Sequence, residues 1–293
     1  MRTLRRALAR RRVAWSGSIL LALALAAAAA PAIAALIGAD AETVDLYHRL
    51  AAPSVAHPLG TDELGRDLLL RLLDGGRVSL LVGITAAIAA AGLGTAIGLA
   101  AGYRGGRLDA VLMRLTDGII SLPLLPLLVV LAAVDLRKLG LPDELVQSEA
   151  VSLYRIIVLV ALVGWTTVAR LVRGATLSLR AQDFVRAAVA LGATPRRVML
   201  VHILPNLASP IIVATTLAVG QVILLESVLS FLGLGIEPPL PSWGNMLTGA
   251  QETVGSAPQL ALYPGLLIFV TVIACNFLGD GLQEALDPRA AQR

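Results

Sequence analysis

Residues 78–101 read VSLLVGITAAIAAAGLGTAIGLAA, 24 residues without one charged side chain. As a helix rising 1.5 Å per residue they reach about 36 Å, enough to cross the roughly 30 Å hydrocarbon core of a bilayer. Small residues recur on one face: Gly83, Ala87 and Ala91, then Gly94, Gly98 and Gly102. A face without bulky side chains lets a neighbouring helix come close, so Gly94, Gly98 and Gly102 are assigned to helix packing.

Five more apolar stretches lie outward from this one, at 14–37, 119–134, 151–169, 211–234 and 260–280. The third in chain order, 119–134, is short, and the fourth carries Arg155 near one end, where it can snorkel to the interface. Hydrophobic residues make up 57% of the 293, with 27 glycines besides, and charged residues only 15%. An ordinary soluble domain is about 45–50% apolar and about 25% charged. A water-soluble fold of this size cannot hide so much apolar surface. Soluble enzyme, disordered chain and fibrous protein are excluded. The sequence predicts an all-α polytopic membrane protein with six transmembrane helices, lodged in a lipid bilayer.

Arginine placement orients the bundle. If the N-terminus is cytoplasmic, segments 1–13, 102–118, 170–210 and 281–293 are inside and hold 17 basic residues, against 6 in 38–77, 135–150 and 235–259. The positive-inside rule then puts both termini in the cytoplasm. The net charge of +4 is accounted for by those retained arginines, and no nucleic-acid partner is expected. Residues 1–12 carry six arginines before the first apolar run, which resembles a signal peptide. Signal cores span about 7–15 residues, so the longer run at 14–37 is expected to stay as an anchor. Cys275 is the single cysteine, which excludes an intramolecular disulfide and a cysteine-based metal site. In the outer loop, Thr61 is placed to cap a short helix through Leu73 that ends at Gly75-Gly76, with Leu64, Leu68 and Leu72 on one face.

Much chemistry is missing. There is no G-x-x-x-x-G-K-[ST], and the single lysine, Lys138, lies in an outer loop, so the chain cannot form that ATP phosphate site. His48, His57 and His202 form no H-E-x-x-H. No catalytic residue, metal ligand or bound cofactor is assigned. An ion-coupled transporter places carboxylates near mid-membrane, whereas only Glu226 and Asp280 fall within the late spans. Glu226 lies about 22 Å into its span, towards the outer end. It reads either as a helix-packing carboxylate or, with Ser230, as part of a pathway or gate.

The most informative polar stretch is 180–206, RAQDFVRAAVALGATPRRVMLVHILPN. Residues 181–191 favour a helix, and Gly192 suits a left-handed stop. Thr194-Pro195 then suits the start of a second helix, Thr as cap and Pro in the first turn, ending at Pro205. Forty residues between two spans is long for a plain connection. A helix–glycine–helix element showing Arg186, Arg196 and Arg197 suits docking of a cytosolic partner.

Ala187-Ala188, Gly192 and His202-Ile203-Leu204-Pro205-Asn206 resemble the "EAA" signature of permease subunits of bacterial ATP-binding-cassette importers. Further strings resemble the dipeptide/oligopeptide/nickel subgroup: 57–67 (HPLGTDELGRD), 75–80 (GGRVSL), 226–235 with Pro238-Pro239 and Ser242-Trp243-Gly244, and 276–282 with Asp287-Pro288-Arg289. Arg186 stands where the general signature begins with Glu. The resemblance implies a type I importer permease with a MetI-like transmembrane domain. Residues 1–77 would form the basic tail, first helix and outer loop, 78–282 the permease core with a coupling helix in 181–206, and 283–293 a cytoplasmic tail. It implies a bacterial inner-membrane location. It implies as partners a homologous permease, two ATPase subunits that bind ATP and Mg, and an extracytoplasmic substrate-binding protein. Contact with the ATPase would involve Arg186, Ala187, Ala188, Gly192, Arg196, Arg197, His202, Pro205 and Asn206. Trp243 would face the binding protein or gate, or else anchor the interface. The implied substrates are di- or oligopeptides, with nickel chelates, glutathione-like peptides and opines as alternatives. An ion-coupled secondary transporter remains a separate class.

Overall fold

The computed structural model describes residues 2–140, 142–146 and 148–286, and among these all regular structure is helical. The first apolar stretch forms α1 (Arg2–Ala28) and α2 (Ala30–Ile37), parted at Ala29. Pro31 sits in the first turn of α2, where its missing N–H costs no helical bond.

The segment after α2 is folded rather than slack. Asp45 N donates to Leu64 O at 3.1 Å and Leu50 N to Asp62 O at 3.1 Å, so the strand of chain 45–50 runs back along 61–64. Gly65, at φ +77°, lies so close to the Asp45 backbone that a Cβ there would meet its carbonyl oxygen at 1.7 Å. Thr61 caps no helix: its hydroxyl accepts from Ala51 N at 2.8 Å and donates to the His48 carbonyl. The cap is Asp67, whose Oδ1 accepts from Leu70 N at 2.9 Å. It opens α3 (Leu68–Arg104), a 37-residue helix that carries the outer leucines and the second span together.

Gly75-Gly76 therefore does not end a helix, and a division at 77/78 falls inside α3. Glycine stops a helix by turning left-handed. These two stay helical because a partner packs on them: a Cβ would lie 3.3 Å from the Ser242 backbone at Gly75 and 3.0 Å from the Trp243 ring at Gly76.

The third stretch is not one rod. α4 (Gly106–Ser121) and α5 (Leu124–Ala132) meet at 89°. Proline drives the residue before it out of the helical region, and Leu122, before Pro123, is extended at ψ +140°. Among the described residues, five helices are long and apolar enough to cross a membrane, and the bent pair makes a sixth crossing if it counts as one span. After the single turn α6 (Asp143–Val146) comes α7 (Glu149–Arg180), extended well beyond 151–169 at its C-terminal end. Arg155 donates to the Val134 carbonyl at 3.1 Å, back towards the end of α5.

Two short helices follow, α8 (Asp183–Ala190) and α9 (Pro195–Arg197). The chain then winds without a break through a π turn (Val198–Ile203) and a 3-10 turn (Leu204–Leu207) into α10 (Ala208–Phe231). The expected stop at Pro205 does not occur. Pro205 has no N–H to give, and the widened turn absorbs it: Leu204 N reaches back to Met199 O, and the Asn206 side chain donates to the His202 carbonyl at 2.7 Å. α11 (Trp243–Thr253) and α12 (Gln259–Leu286) complete the chain. Of the expected 283–293 tail, 283–286 belong to α12 and the rest lies outside the described residues.

α3 is the central helix. Added Cβ atoms at Gly94, Gly98 and Gly102 would strike α7 at Trp165 O (2.5 Å), Ala169 O (2.4 Å) and Thr176 Cβ (2.7 Å). α10 packs on α3 and α12, and α1 on α12. The buried apolar residues form a middle cluster about Val82, Leu128, Ile156 and Leu229, one at the α11 end about Leu68, Ile223 and Trp243, and one at the opposite end about Leu99, Val185 and Ile203. Leu81, Ile88, Leu162, Leu266 and Phe269 stay more than half exposed around the bundle, as a lipid-facing belt requires.

Candidate functional site

At the end of the bundle away from the outer segment, α8 lies against the helix entering α10. Val185 and Ala188 are buried, and Val185 joins the cluster of Val198, Ile203 and Leu207. The helix closes by the double hydrogen bond of a Schellman motif. Gly192 N donates to Val189 O at 2.9 Å and Ala193 N to Ala188 O at 3.0 Å. This requires a left-handed residue, and Gly192 has φ +84°. Thr194 then accepts from Arg197 N at 3.4 Å, with Pro195 in the first turn.

The two sides of this element differ. Arg186, Ala187, Gly192, Arg196, Arg197, Pro205 and Asn206 are exposed, His202 is half-buried, and Ala188 faces inward. No other part of the chain comes within 4 Å of a Cβ placed at Gly192. Phe184 (44% exposed), Val189 (51%) and Leu191 (88%) also stand out, and the sequence reading had not singled them out. Their signal was present: α8 and the residue after it hold more apolar side chains than one buried face can use.

The candidates at the α11 end of the bundle come together around one carboxyl group. Glu226 is fully buried. Ser230 Oγ donates to its Oε1 at 2.8 Å, and Ser79 Oγ donates to its Oε2 at 3.2 Å. Ser227 and Ser242 also face the carboxyl group. A buried carboxyl group is tolerated where hydroxyls solvate it. Ser79 in turn accepts from Trp243 N at 3.2 Å. Trp243 is the first residue of α11, is 2% exposed, and is held by Ser242 and Asn245 capping each other's backbone N–H. Ser230 Oγ also accepts from Ile236 N at 3.0 Å, which fastens the connection between α10 and α11. Glu226, Ser230 and Trp243 thus tie α3, α10 and α11 into one unit, and none of them lines the cavity between α7 and α10.

That cavity, about 700 Å³, is bounded by α3, both halves of the bent pair, α7, α10 and the end of α12. Ala90, Leu124, Val160 and Val213 are typical of its lining, and Gln221 and Gln283 add polar groups. It has the size and mainly apolar character of a small-molecule site. Among the described residues, no three His, Cys, Asp or Glu converge on a point where a metal could sit.

Residues 94–292 match the family described as "Binding-protein-dependent transport system inner membrane component". The chain is 40% identical over 251 residues to the glutathione transport system permease protein GsiD of Pectobacterium atrosepticum, covering 85% of this chain and 79% of that one. It is 40% identical to the dipeptide transport system permease protein DppC of Alkalihalophilus pseudofirmus, covering 83% and 75%. It is 38% identical to the oligopeptide transport system permease protein OppC of Haemophilus influenzae, covering 85% and 76%. Among solved structures, an inward-facing MetNI methionine ABC transporter chain superposes with a TM-score of 0.59 at 18% identity, over 75% of this chain and 98% of that one. With the helical bundle and its apolar belt, these similarities place the chain in the family of binding-protein-dependent transport system inner membrane components, as a multi-pass permease of the MetI-like fold.

Proposed function

We propose that this chain is one of two permease subunits of an ATP-driven importer that brings short peptides across the cytoplasmic membrane. Both termini face the cytoplasm. The element at 181–206 is the coupling piece, with α8 seated on a partner ATPase. The carrying observation is this element's two-sided build. Val185 and Ala188 fasten it to the bundle, while Arg186 and Leu191 are exposed and no other part of the chain lies within 4 Å of a Cβ at the left-handed Gly192. A lever needs both a rigid attachment and a free contact face.

Peptide as the substrate class is supported by the relatives, which are named for dipeptide, oligopeptide and glutathione transport. Glutathione is itself a short peptide, and a cavity of about 700 Å³ holds a molecule of that size. ATP and Mg belong to the partner ATPases, and the peptide arrives from an extracytoplasmic binding protein. A homologous second permease closes the open side of the bundle. ATP-driven closure of the ATPases biases a bundle with two packings, so the external free energy selects which side is open.

The test is affinity purification through a C-terminal tag in mild detergent, combined with uptake by a Gly192→Glu variant. The expected result is co-purification of ATPase subunits, a second permease and a binding protein. The variant should insert normally and transport nothing. Recovery of this chain alone, or full uptake by Gly192→Glu, overturns the proposal.

A further inference from the structure

We infer that the side-chain amide of Gln221 hydrogen-bonds the backbone of the substrate peptide as it passes through the cavity along α10. This rests on the peptide importer proposed for the chain, and adds the residue with which the chain contacts the peptide.

Among the described residues that line the cavity, none carries a charge. A peptide's terminal ammonium and carboxylate therefore find no counter-ion in this wall. What the chain can recognise is the peptide backbone, with its N–H donor and C=O acceptor at each residue.

α10 gives the cavity one stripe. Val213, Leu217, Gln221 and Leu225 follow at four-residue intervals, with Ala218 and Val222 beside them, and all six line the cavity. Gln221 alone among them is polar. It is exposed, while Val222 next to it belongs to the middle apolar cluster with Val82, Leu128 and Ile156. An amide at this level is costly against hydrocarbon. A glutamine that packs helices together bonds across to its neighbour, yet Gln221 makes no hydrogen bond among the described residues.

The other polar lining residues are served otherwise. Thr166 Oγ1 donates to Val163 O at 3.0 Å. Thr167 and Ser209 carry short hydroxyls, which on a helix can turn back to a carbonyl one turn earlier. Gln283 lies in the last turn of α12 beside exposed Glu284, where water reaches it. Gln221 keeps an acceptor, Oε1, and a donor, Nε2, for a ligand. In an extended peptide the N–H and C=O of one residue point to the same side, and this pair matches the two ends of the amide.

The size of the cavity favours a small ligand over a helix of a neighbouring subunit. Two turns of helix 10 Å across fill about 850 Å³, more than the whole cavity of about 700 Å³. A short extended peptide fits within it.

The experiment uses the purified full assembly with its binding protein in proteoliposomes. It compares ATP-driven import of trialanine with that of the analogue in which ester oxygens replace both amide N–H groups. Gln221→Met keeps the length of the side chain and removes both hydrogen-bonding groups. The parent's preference for the amide over the ester should fall roughly fivefold in this variant, the worth of one hydrogen bond. The binding protein is the same in both measurements, so its own preference cancels. In the parent, a trialanine analogue with a diazirine side chain should label α10 between 217 and 225, which needs no variant to fold. An unchanged amide-to-ester ratio in Gln221→Met, or labelling that misses 217–225, overturns the inference. Equal loss of both substrates, together with loss of the second permease, assigns Gln221 to a contact between subunits and overturns it as well. Import of neither probe by the parent overturns the peptide reading itself, and that failure is seen without any variant.

Discussion

Trp243 Nε1 donates to the carbonyl of Leu72 at 2.9 Å, joining the first residue of α11 to the second turn of α3. The same indole lies on Gly76, where even a Cβ would come within 3.0 Å. With Ser79 bridging Trp243 N and Glu226, this end of the bundle is held by a ring, a carbonyl and a carboxyl group from three helices. Trp243→Ala should cost about 3–5 kcal/mol, and Trp243→Phe about 1–3 kcal/mol for the carbonyl left unpaired. Thermal unfolding in detergent, followed by size-exclusion chromatography, reads both. Equal stability of the Ala variant and the parent would show that the ring does not bear this load.

The contact between α3 and α7 allows a cleaner comparison. A Cβ at Gly98 would lie 2.4 Å from the Ala169 carbonyl, whereas at Gly92 nothing lies within 4 Å. Gly98→Leu should therefore destabilise by about 1–3 kcal/mol or more through overpacking. Gly92→Leu should be neutral or slightly stabilising, because glycine is the poorer helix former. The two positions are six residues apart on one helix, so melting temperatures of the pair separate packing from propensity.

The class of fold was legible because apolar runs of about 20 residues have few other destinations. The i, i+4 pattern of Gly94, Gly98 and Gly102 showed a close-packed face without naming α7 as its partner. The turn at Gly192 was legible for a local reason: a left-handed stop followed by Thr-Pro needs no tertiary context. What the sequence did not reveal was decided by distant packing. Gly75-Gly76 looks like a stop until Trp243 lies on it, and Thr61 looks like a cap until His48 and Ala51 take its hydroxyl. Pro205 looked like an end because proline removes one helical bond, and only the π turn and Asn206 show how the chain passes it. Pro123 did break its span, yet nothing local fixed the 89° angle. The start of α11 at Trp243 has a local signal, the Ser242/Asn245 capping pair, but its burial against α3 does not.

The folded segment between α2 and α3 should respond to acid. The hydrogen bond with His48, then the Tyr47 N–H, hold the Asp45 carboxyl below its ordinary value, and Thr43 and Glu42 do the same for Asp40. A carboxyl lowered in the folded state contributes order above the unfolded value of about 3.9. That contribution is lost as pH falls through the lower folded value. Amides in 42–48 should therefore be protected at neutral pH and lose protection below about pH 4, while those of the α3 core do not. Hydrogen exchange by mass spectrometry checks this. Asp45→Asn should be less protected at neutral pH and should flatten the pH dependence around residue 47. An unchanged profile in that variant would assign the order of the segment to its backbone pairing alone.

Gly192 allows fold and coupling to be separated. Its φ of +84° is unfavourable for most residues, but asparagine adopts the left-handed region several-fold more readily than they do. Nothing of the chain lies within 4 Å of a Cβ there, so Gly192→Asn meets no internal obstacle. Gly192→Val meets none either, but bears a left-handed strain of about 1–2 kcal/mol. The Val variant should loosen the end of α8, seen as faster exchange of the Ala193 N–H that bonds to Ala188 O. The Asn variant should keep that protection. If a partner closes on Gly192, uptake by the Asn variant should still fall, because the added side chain has no clash within this chain and meets only what docks there. Full uptake by the Asn variant, together with loss in the Val variant, would give Gly192 a purely conformational role and move the contact to Arg186 and Leu191.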